Sequence, residues 1–323
     1  MKVPKTLQQA IIHFANLDNC LAYMVSHRWP AGVECPTCGR KDVTYLANQK
    51  KWQCKSGHAK RQFTAKVGTI FEDSPLGLEK WLPAVWLIAT AKNGVSSCEI
   101  ARSLDVTQKT AWFMLHRIRK AMANGSMMKI GGNGGEVEAD ETFIGGKARN
   151  MHKDVYERRI TGMGQSFRDK TIVMGMLERG GQVRTQIIPD RQKHTLQPIV
   201  RQHVEAGAAL FTDEMGGYKG LHKEYLHQII DHAVCYVNGR IHTNGMENFW
   251  SLLKRGINGT YVSVEPFHLF RYLDEQAFRY NNRATKKNPM NDSDRFSAVL
   301  SQVAGKRLTY AEVTGKVGQT TIH

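Results

Sequence analysis

The stretch GEVEADETFIGG, residues 135–146, decides how the second half of this 323-residue chain is read. Its side chains alternate along an extended strand: Glu136, Glu138 and Asp140 share one face, and Val137 and Ala139 take the other. Acids lined along one face are costly unless something cationic binds them. Working outward, TIVMGMLE (171–178) and VRTQIIP (183–189) are strand-like runs joined by a turn at Arg179-Gly180-Gly181. LQPIVRQHV (196–204) returns to helical spacing, AALFTDE (208–214) is a short apolar run ending in acids, and HQIIDHAVCYV (227–237) is a further strand candidate. The mixture predicts an α/β fold for residues 136–285.

Two further acids stand where such a fold presents chemistry. Asp213-Glu214 ends the apolar run ALFT and precedes Met215-Gly216-Gly217, so a carboxylate emerges at a strand end. In HTNGMENFWSLLKRGI (242–257), Met246, Phe249, Trp250, Leu253 and Ile257 make the buried stripe of a helix, and Glu247 and Lys254, seven residues apart, align at its edge. Carboxylates gathered from separate elements suit phosphoryl transfer, in which two Mg²⁺ (or Mn²⁺) ions about 3.5 to 4 Å apart activate the attacking oxygen and stabilise the leaving one. Lys254, with Arg255 beside it, is then placed to meet a DNA backbone.

Ahead of this domain, NGSMMKIGGNGG (124–135) is rich in Gly and Asn and reads as a linker. Residues 1–72 hold three of the six cysteines within twenty positions, which favours metal over disulfides in a reducing compartment. Cys35 and Cys38 flank two residues, Cys54 follows, and His58 comes four positions later, a set that closes a tetrahedral sphere and implies one structural Zn²⁺. A zinc-dependent hydrolase is the most distant of the rival readings, because the set leaves no open coordination position. Cys98 reads as a packing residue.

Residues 73–123 read as all-helical, with Pro83 confined to the opening turn of a helix from Leu78 or kinking it. Ser96 and Thr107 are positioned to cap two helices joined by a short turn, a helix-turn-helix. On the second helix the stripe Ala111, Leu115, Ile118 and Met122 packs inward. Gln108, Trp112, His116 and Arg119 face away from it, with Lys109, Arg117 and Lys120 alongside, placed to reach base edges and phosphates. Charge agrees: the chain is +16 overall, and residues 1–130 carry 19 Lys+Arg against 8 Asp+Glu, which is +11. Residues 286–323 are expected to be a C-terminal tail. No secretory leader or bilayer-length apolar tract is visible, so the expected compartment is the cytoplasm, with no membrane partner.

The order of zinc ribbon, helix-turn-helix, Asp, Asp, then Glu with Lys seven residues on resembles bacterial insertion-sequence transposases of the zinc-ribbon DDE group. The resemblance runs from about Phe14 to about Asn282 and is carried by CPTCG, QFTAKVGTIFEDSPLGLEKWL, VEADETFIGG, FTDEMGGY, HTNGMENFWSLLKRGINGTY and HLFRYLDEQAFRYN. It implies an RNase H-like catalytic domain in which Asp140, Asp213 and Glu247 bind the metals, with 33 residues between the last two. Some relatives carry Asn as the third residue, which keeps Asn244 as an alternative to Glu247. Glu138 and Glu141 stand beside Asp140 either as outer metal ligands or as solvated acids. Residues 147–168, with Arg149, Arg158 and Arg159, are expected to be a DNA-contacting loop. The resemblance further implies double-stranded DNA partners, namely element ends and target, and at least a dimer. Two rival functions remain open: a DNA-binding regulator without catalysis, and a metal-dependent nuclease that does not join strands.

Overall fold

The computed structural model describes residues 4–123, 128–145, 153, 170–213, 216–230, 242–286 and 288–316. The chain divides into two compact units, Met1–Ala123 with Asn282–His323, and Asn124–Asn281.

The first unit opens with α1 (Leu7–Phe14) and α2 (Leu17–Arg28), whose N-termini are capped by the Thr6 and Asn16 side chains. Strands β1 (Val43–Leu46), β2 (Lys51–Cys54) and β3 (Gln62–Phe63) form a small antiparallel sheet. Trp52 stacks on Phe63 with centroids 6.0 Å apart, and Trp29 meets Trp52 edge-on at 5.7 Å.

Three helices follow: α3 (Leu78–Thr90), α4 (Ser97–Leu104) and α5 (Gln108–Met122). Helix α3 runs through Pro83, which lies beyond the opening turn; burial of most of its side chains from Leu78 to Ala89 offsets the lost hydrogen bond. Ser96 accepts the Glu99 N–H at 3.1 Å and Thr107 accepts that of Thr110 at 3.2 Å, so both expected caps form. Asp105, in the left-handed region at φ 49°, reverses the chain between α4 and α5.

The described residues 288–316 do not form a tail. Helix Asp292–Leu300 packs against α2, α3 and α5, and Phe296 is fully buried among the rings of Phe14, Tyr23 and Trp86. The Lys306 ammonium donates to the Ala121 and Ala123 carbonyls, closing the C-terminus of α5.

The second unit is a three-layer α/β sandwich. Its sheet comprises β4 (Glu136–Ile144), β5 (Thr171–Glu178), β6 (Val183–Ile188), β7 (Ala209–Asp213) and β8 (Leu226–Ile230), in the order β6-β5-β4-β7-β8. The β6-β5-β4 half is antiparallel, while β4, β7 and β8 run parallel. Strand alternation sends Val137, Ala139, Met174 and Met176 toward helix α6 (Lys193–His203), which buries Leu196 and Val200 against them. The opposite face buries Ile144, Val173 and Leu177 under helices α7 (Asn244–Gly256) and α8 (Leu269–Asn281). This mixed sheet between helical layers is consistent with the RNase H-like arrangement that the resemblance implies. From Ile130 onward the Gly-rich stretch belongs to this unit rather than to a free linker: Ile130 is buried and bridges Val204, and the Gly131 N–H donates to Glu178 at 3.0 Å.

Candidate active site and metal centre

In the first unit Cys35 and Cys38 bracket the turn before β1, Cys54 ends β2, and His58 lies just after it. Their ligand atoms all lie within 4.8 Å of one another, with Cys35 Sγ 3.3 Å from His58 Nε2 and Cys38 Sγ 3.6 Å from Cys54 Sγ. Burial pushes the Cys35 thiol up, but backbone hydrogen bonds from Thr37 and Cys38 outweigh it and bring its pKa down to about 6. Three soft sulfurs and an imidazole, closed on one point, fit a structural Zn²⁺. Cys98, expected to pack, is exposed on α4.

The expected DNA-reading face of α5 is only partly a surface. Gln108 and Lys109 in its first turn are exposed, and Trp112 is half-buried. His116 and Arg119, in contrast, are 0% and 1% exposed, so neither side chain is available to a groove in this conformation. The reason lies outside the helix: α5 is packed against α3, α4 and the returning helix Asp292–Leu300, so its buried surface extends well beyond the stripe visible in its own sequence. Arg117, flanking the expected face, is buried as well and donates to the Glu72 carbonyl.

In the second unit β4 brings Glu138 and Asp140 to the face covered by α7. Asp140 Oδ2 accepts the Trp250 indole N–H at 3.0 Å, and Oδ1 accepts the Glu141 N–H at 2.8 Å. Helix α7 is seated by its apolar stripe of Met246, Phe249, Trp250 and Leu253, each contributing about 1.5–3 kcal/mol of burial. Glu247 is exposed, one turn before Trp250, and Lys254 and Arg255 are exposed further along. Asn244, the alternative third residue, is the first residue of α7 and is exposed. Asp213 ends β7, the parallel neighbour of β4.

Burial, with the negative charges of Asp213 and Glu247, raises Asp140 from 3.8 to about 6 against the two hydrogen bonds that favour its anion. Asp213 and Glu247 thus act on Asp140 from two other elements, although among the described residues only the Cys/His set closes to metal-ligand spacing. Glu141 points to the other side of the strand, where Tyr218 donates to its carboxylate. Burial, reinforced by Asp213 and Asp140, raises it from 4.5 to about 7.

Glu138 is not solvated. It is 1% exposed, accepts the Arg179 Nε–H at 2.7 Å, and accepts the Met246 backbone N–H at 2.9 Å in the first turn of α7. Arg179 also reaches Glu136 at 3.4 Å. The acid-lined strand thus does bind a cation, which two of its three carboxylates share. Breaking such a buried pair from one side costs about 3–5 kcal/mol. Sequence reading identified the need for a cation but passed over Arg179 in the turn. Nothing in the spacing revealed Tyr218 or the Trp250 indole as partners of Glu141 and Asp140. Glu214 and the expected DNA loop at 147–168, apart from Lys153, lie outside the described residues.

Residues 133–281 match the family model of the ISXO2-like transposase domain, and residues 16–59 match that of the transposase zinc-ribbon domain. The chain is 26% identical over 273 residues to a protein of the transposable element ISH50 of Halobacterium salinarum, covering 80% of this chain and 88% of that one. It is 31% identical over 105 residues to a transposase-like protein of Haemophilus influenzae, covering 32% of this chain and 85% of the relative.

Proposed function

Because the chain belongs to the ISXO2-like transposases that carry an N-terminal zinc ribbon, we propose that it cuts the ends of an insertion sequence and joins the freed 3′-OH to target DNA. The observation that carries the reading is the placement of Asp140, Asp213 and Glu247 on β4, its parallel neighbour β7 and the helix α7 that covers β4, close enough for Asp213 and Glu247 to act on Asp140. Hard carboxylate oxygens contributed by three separate elements suit Mg²⁺ or Mn²⁺. Two such ions, when bound, supply an activated attacking oxygen and a stabilised leaving oxygen. Asp140, Asp213 and Glu247 hold them; the Trp250 indole fixes the Asp140 carboxylate; Lys254 and Arg255 on the exposed edge of α7 neutralise backbone phosphate. In the first unit, Gln108 and Lys109 at the exposed start of α5 contact the element end, and the zinc ribbon supports that recognition.

Asn244 and Glu247 are separable by substitution, and the carboxylate is the better ligand for a hard cation. The test incubates the full-length protein with an element-end duplex, target DNA and Mg²⁺. Asp213→Asn and Glu247→Gln are expected to lose both cleavage and strand transfer, and Asn244→Ala to keep them. Unimpaired transfer by Asp213→Asn removes the assignment. Cleavage by the wild type without any joined product would make the protein a nuclease.

A further inference from the structure

We propose that Arg179, acting with Glu138, is a positioning residue that holds the three acid-bearing elements in register. This rests on the reading of Asp140, Asp213 and Glu247 as metal ligands, but Arg179 itself belongs to none of the strands or helices that carry them. It follows β5 at the turn into β6.

One guanidinium touches two of the three elements and the residue that leads into the third. On β4 it donates to Glu138 at 2.7 Å and Glu136 at 3.4 Å, two residues and four residues before Asp140. At the entrance to α7 it donates to the His242 carbonyl at 2.6 Å and meets His242 Nδ1 at 3.1 Å. Its Cζ lies 4.2 Å from the ring centroid of Phe211 on β7, two residues before Asp213. Its backbone N–H adds a bond to the Glu136 carbonyl at 2.9 Å.

Glu138 completes the clamp. While one oxygen takes the Arg179 Nε–H, the other accepts the Met246 N–H at 2.9 Å, one residue before Glu247. The approach is close: a Cβ added at Gly245 would stand 2.7 Å from Glu138 Oε2 and 2.6 Å from Leu177 Cδ2, so α7 can seat this near to β4 only with glycine there. The planar fork of arginine makes these several bonds at once, which the single ammonium of lysine cannot copy. A pair kept for stability alone would require one partner; this one spans every element whose placement the metal site needs.

The test reads metal binding directly. Mn²⁺ affinity of the full-length, zinc-loaded protein is followed by the paramagnetic resonance of free Mn²⁺, with the melting temperature measured in parallel. Arg179→Met is expected to weaken Mn²⁺ binding at least tenfold, and Arg179→Lys about threefold or more. The double variant Arg179→Met with Glu138→Leu replaces the buried pair with apolar groups; it should recover melting temperature but not Mn²⁺ affinity. Affinity within twofold of wild type in Arg179→Met overturns the proposal, as does recovery of affinity together with stability in the double variant. Should Arg179→Met fail to fold, Arg179→Lys decides, an unchanged affinity refuting the role. Asp213→Asn run alongside keeps the two readings apart: unaltered Mn²⁺ binding there sinks the ligand assignment, whereas its loss there with retention in Arg179→Met sinks only the clamp.

Discussion

Replacing Gly175 with alanine tests whether α7 must lie this close to the sheet for the acids to meet. Gly175 sits on β5 directly opposite Asp140, facing α7. A Cβ there would stand 2.2 Å from Met246 Cε and 2.6 and 2.7 Å from two ring carbons of Trp250. The Met246 methyl can swing away, but the indole is rigid and must retreat by roughly 0.8 Å to reach ordinary contact near 3.4 Å. Its N–H now donates to Asp140 Oδ2 at 3.0 Å, so a shift of that size takes the pair beyond hydrogen-bond range.

Overpacking costs about 1–3 kcal/mol. The lost bond to a charged acceptor adds about 1.5–3. Alanine in place of glycine in a strand returns about 0.5–1. The net is a destabilisation of about 2–5 kcal/mol, or roughly 5–15 °C in the unfolding of a domain of this size. Because Glu247 moves with Trp250, strand cleavage is expected to fall about a hundredfold, the usual consequence of an ångström of misplacement. Gly207→Ala is the control: its φ of 83° strains any side chain, yet nothing lies within 4 Å, so it should cost about 1 kcal/mol and leave cleavage intact. Calorimetry and a gel-based cleavage assay read both quantities. Unchanged stability and activity in Gly175→Ala would refute the close seating of α7.

Other expectations concern protons and zinc. Asp140 and Glu141, raised to about 6 and 7, hold their protons more tightly in the fold than in the unfolded chain, so their contribution is present below pH about 4 and lost as pH rises through 6 and 7. For Asp140 roughly two pKa units correspond to about 3 kcal/mol. His203 and His227, lowered by burial, act in the opposite sense below 6.5; they cancel in the difference between wild type and Asp140→Asn. That difference should shrink the wild type's stability from pH 4 to 7, and Mg²⁺ should restore it at pH 8 but not at pH 5; a flat profile with no Mg²⁺ response would count against the buried acid site. The Cys/His centre is expected to hold one Zn²⁺ per chain, and Cys54→Ala to abolish it and expose Trp52 to solvent, read by metal analysis and tryptophan fluorescence. Native protein without zinc, or Cys54→Ala with a full complement, would contradict the assignment.

The acid site also shows a division of labour along a single strand. Glu136 and Glu138 share the single positive charge of Arg179, Glu141 is held by Tyr218, and Asp140 takes only the neutral N–H groups of Trp250 and Glu141. Carboxylates buried this close together along one strand would repel one another if all stayed ionised without cationic or hydrogen-bonding partners. Asp140, whose partners are uncharged donors, is then the carboxylate of the strand at which an external cation gains most.

What the sequence determined by itself was whatever depends on near neighbours. The two-residue gap between Cys35 and Cys38, the caps at Ser96 and Thr107, the alternation through β4 and the apolar stripe of α7 are local patterns with one physical outcome each, and the residues appear in those roles. Only the tertiary structure decided which polar groups are surface and which are not. His116 and Arg119 lie on the polar side of their own helix, yet α3, α4 and a segment nearly two hundred residues later enclose that helix. Glu138 reads as one more acid until Arg179, 41 residues on, and Met246, 108 residues on, meet it. Spacing carries the period of a helix or strand, but a buried charge is settled by whichever distant partner the packing delivers, and that choice leaves no local trace.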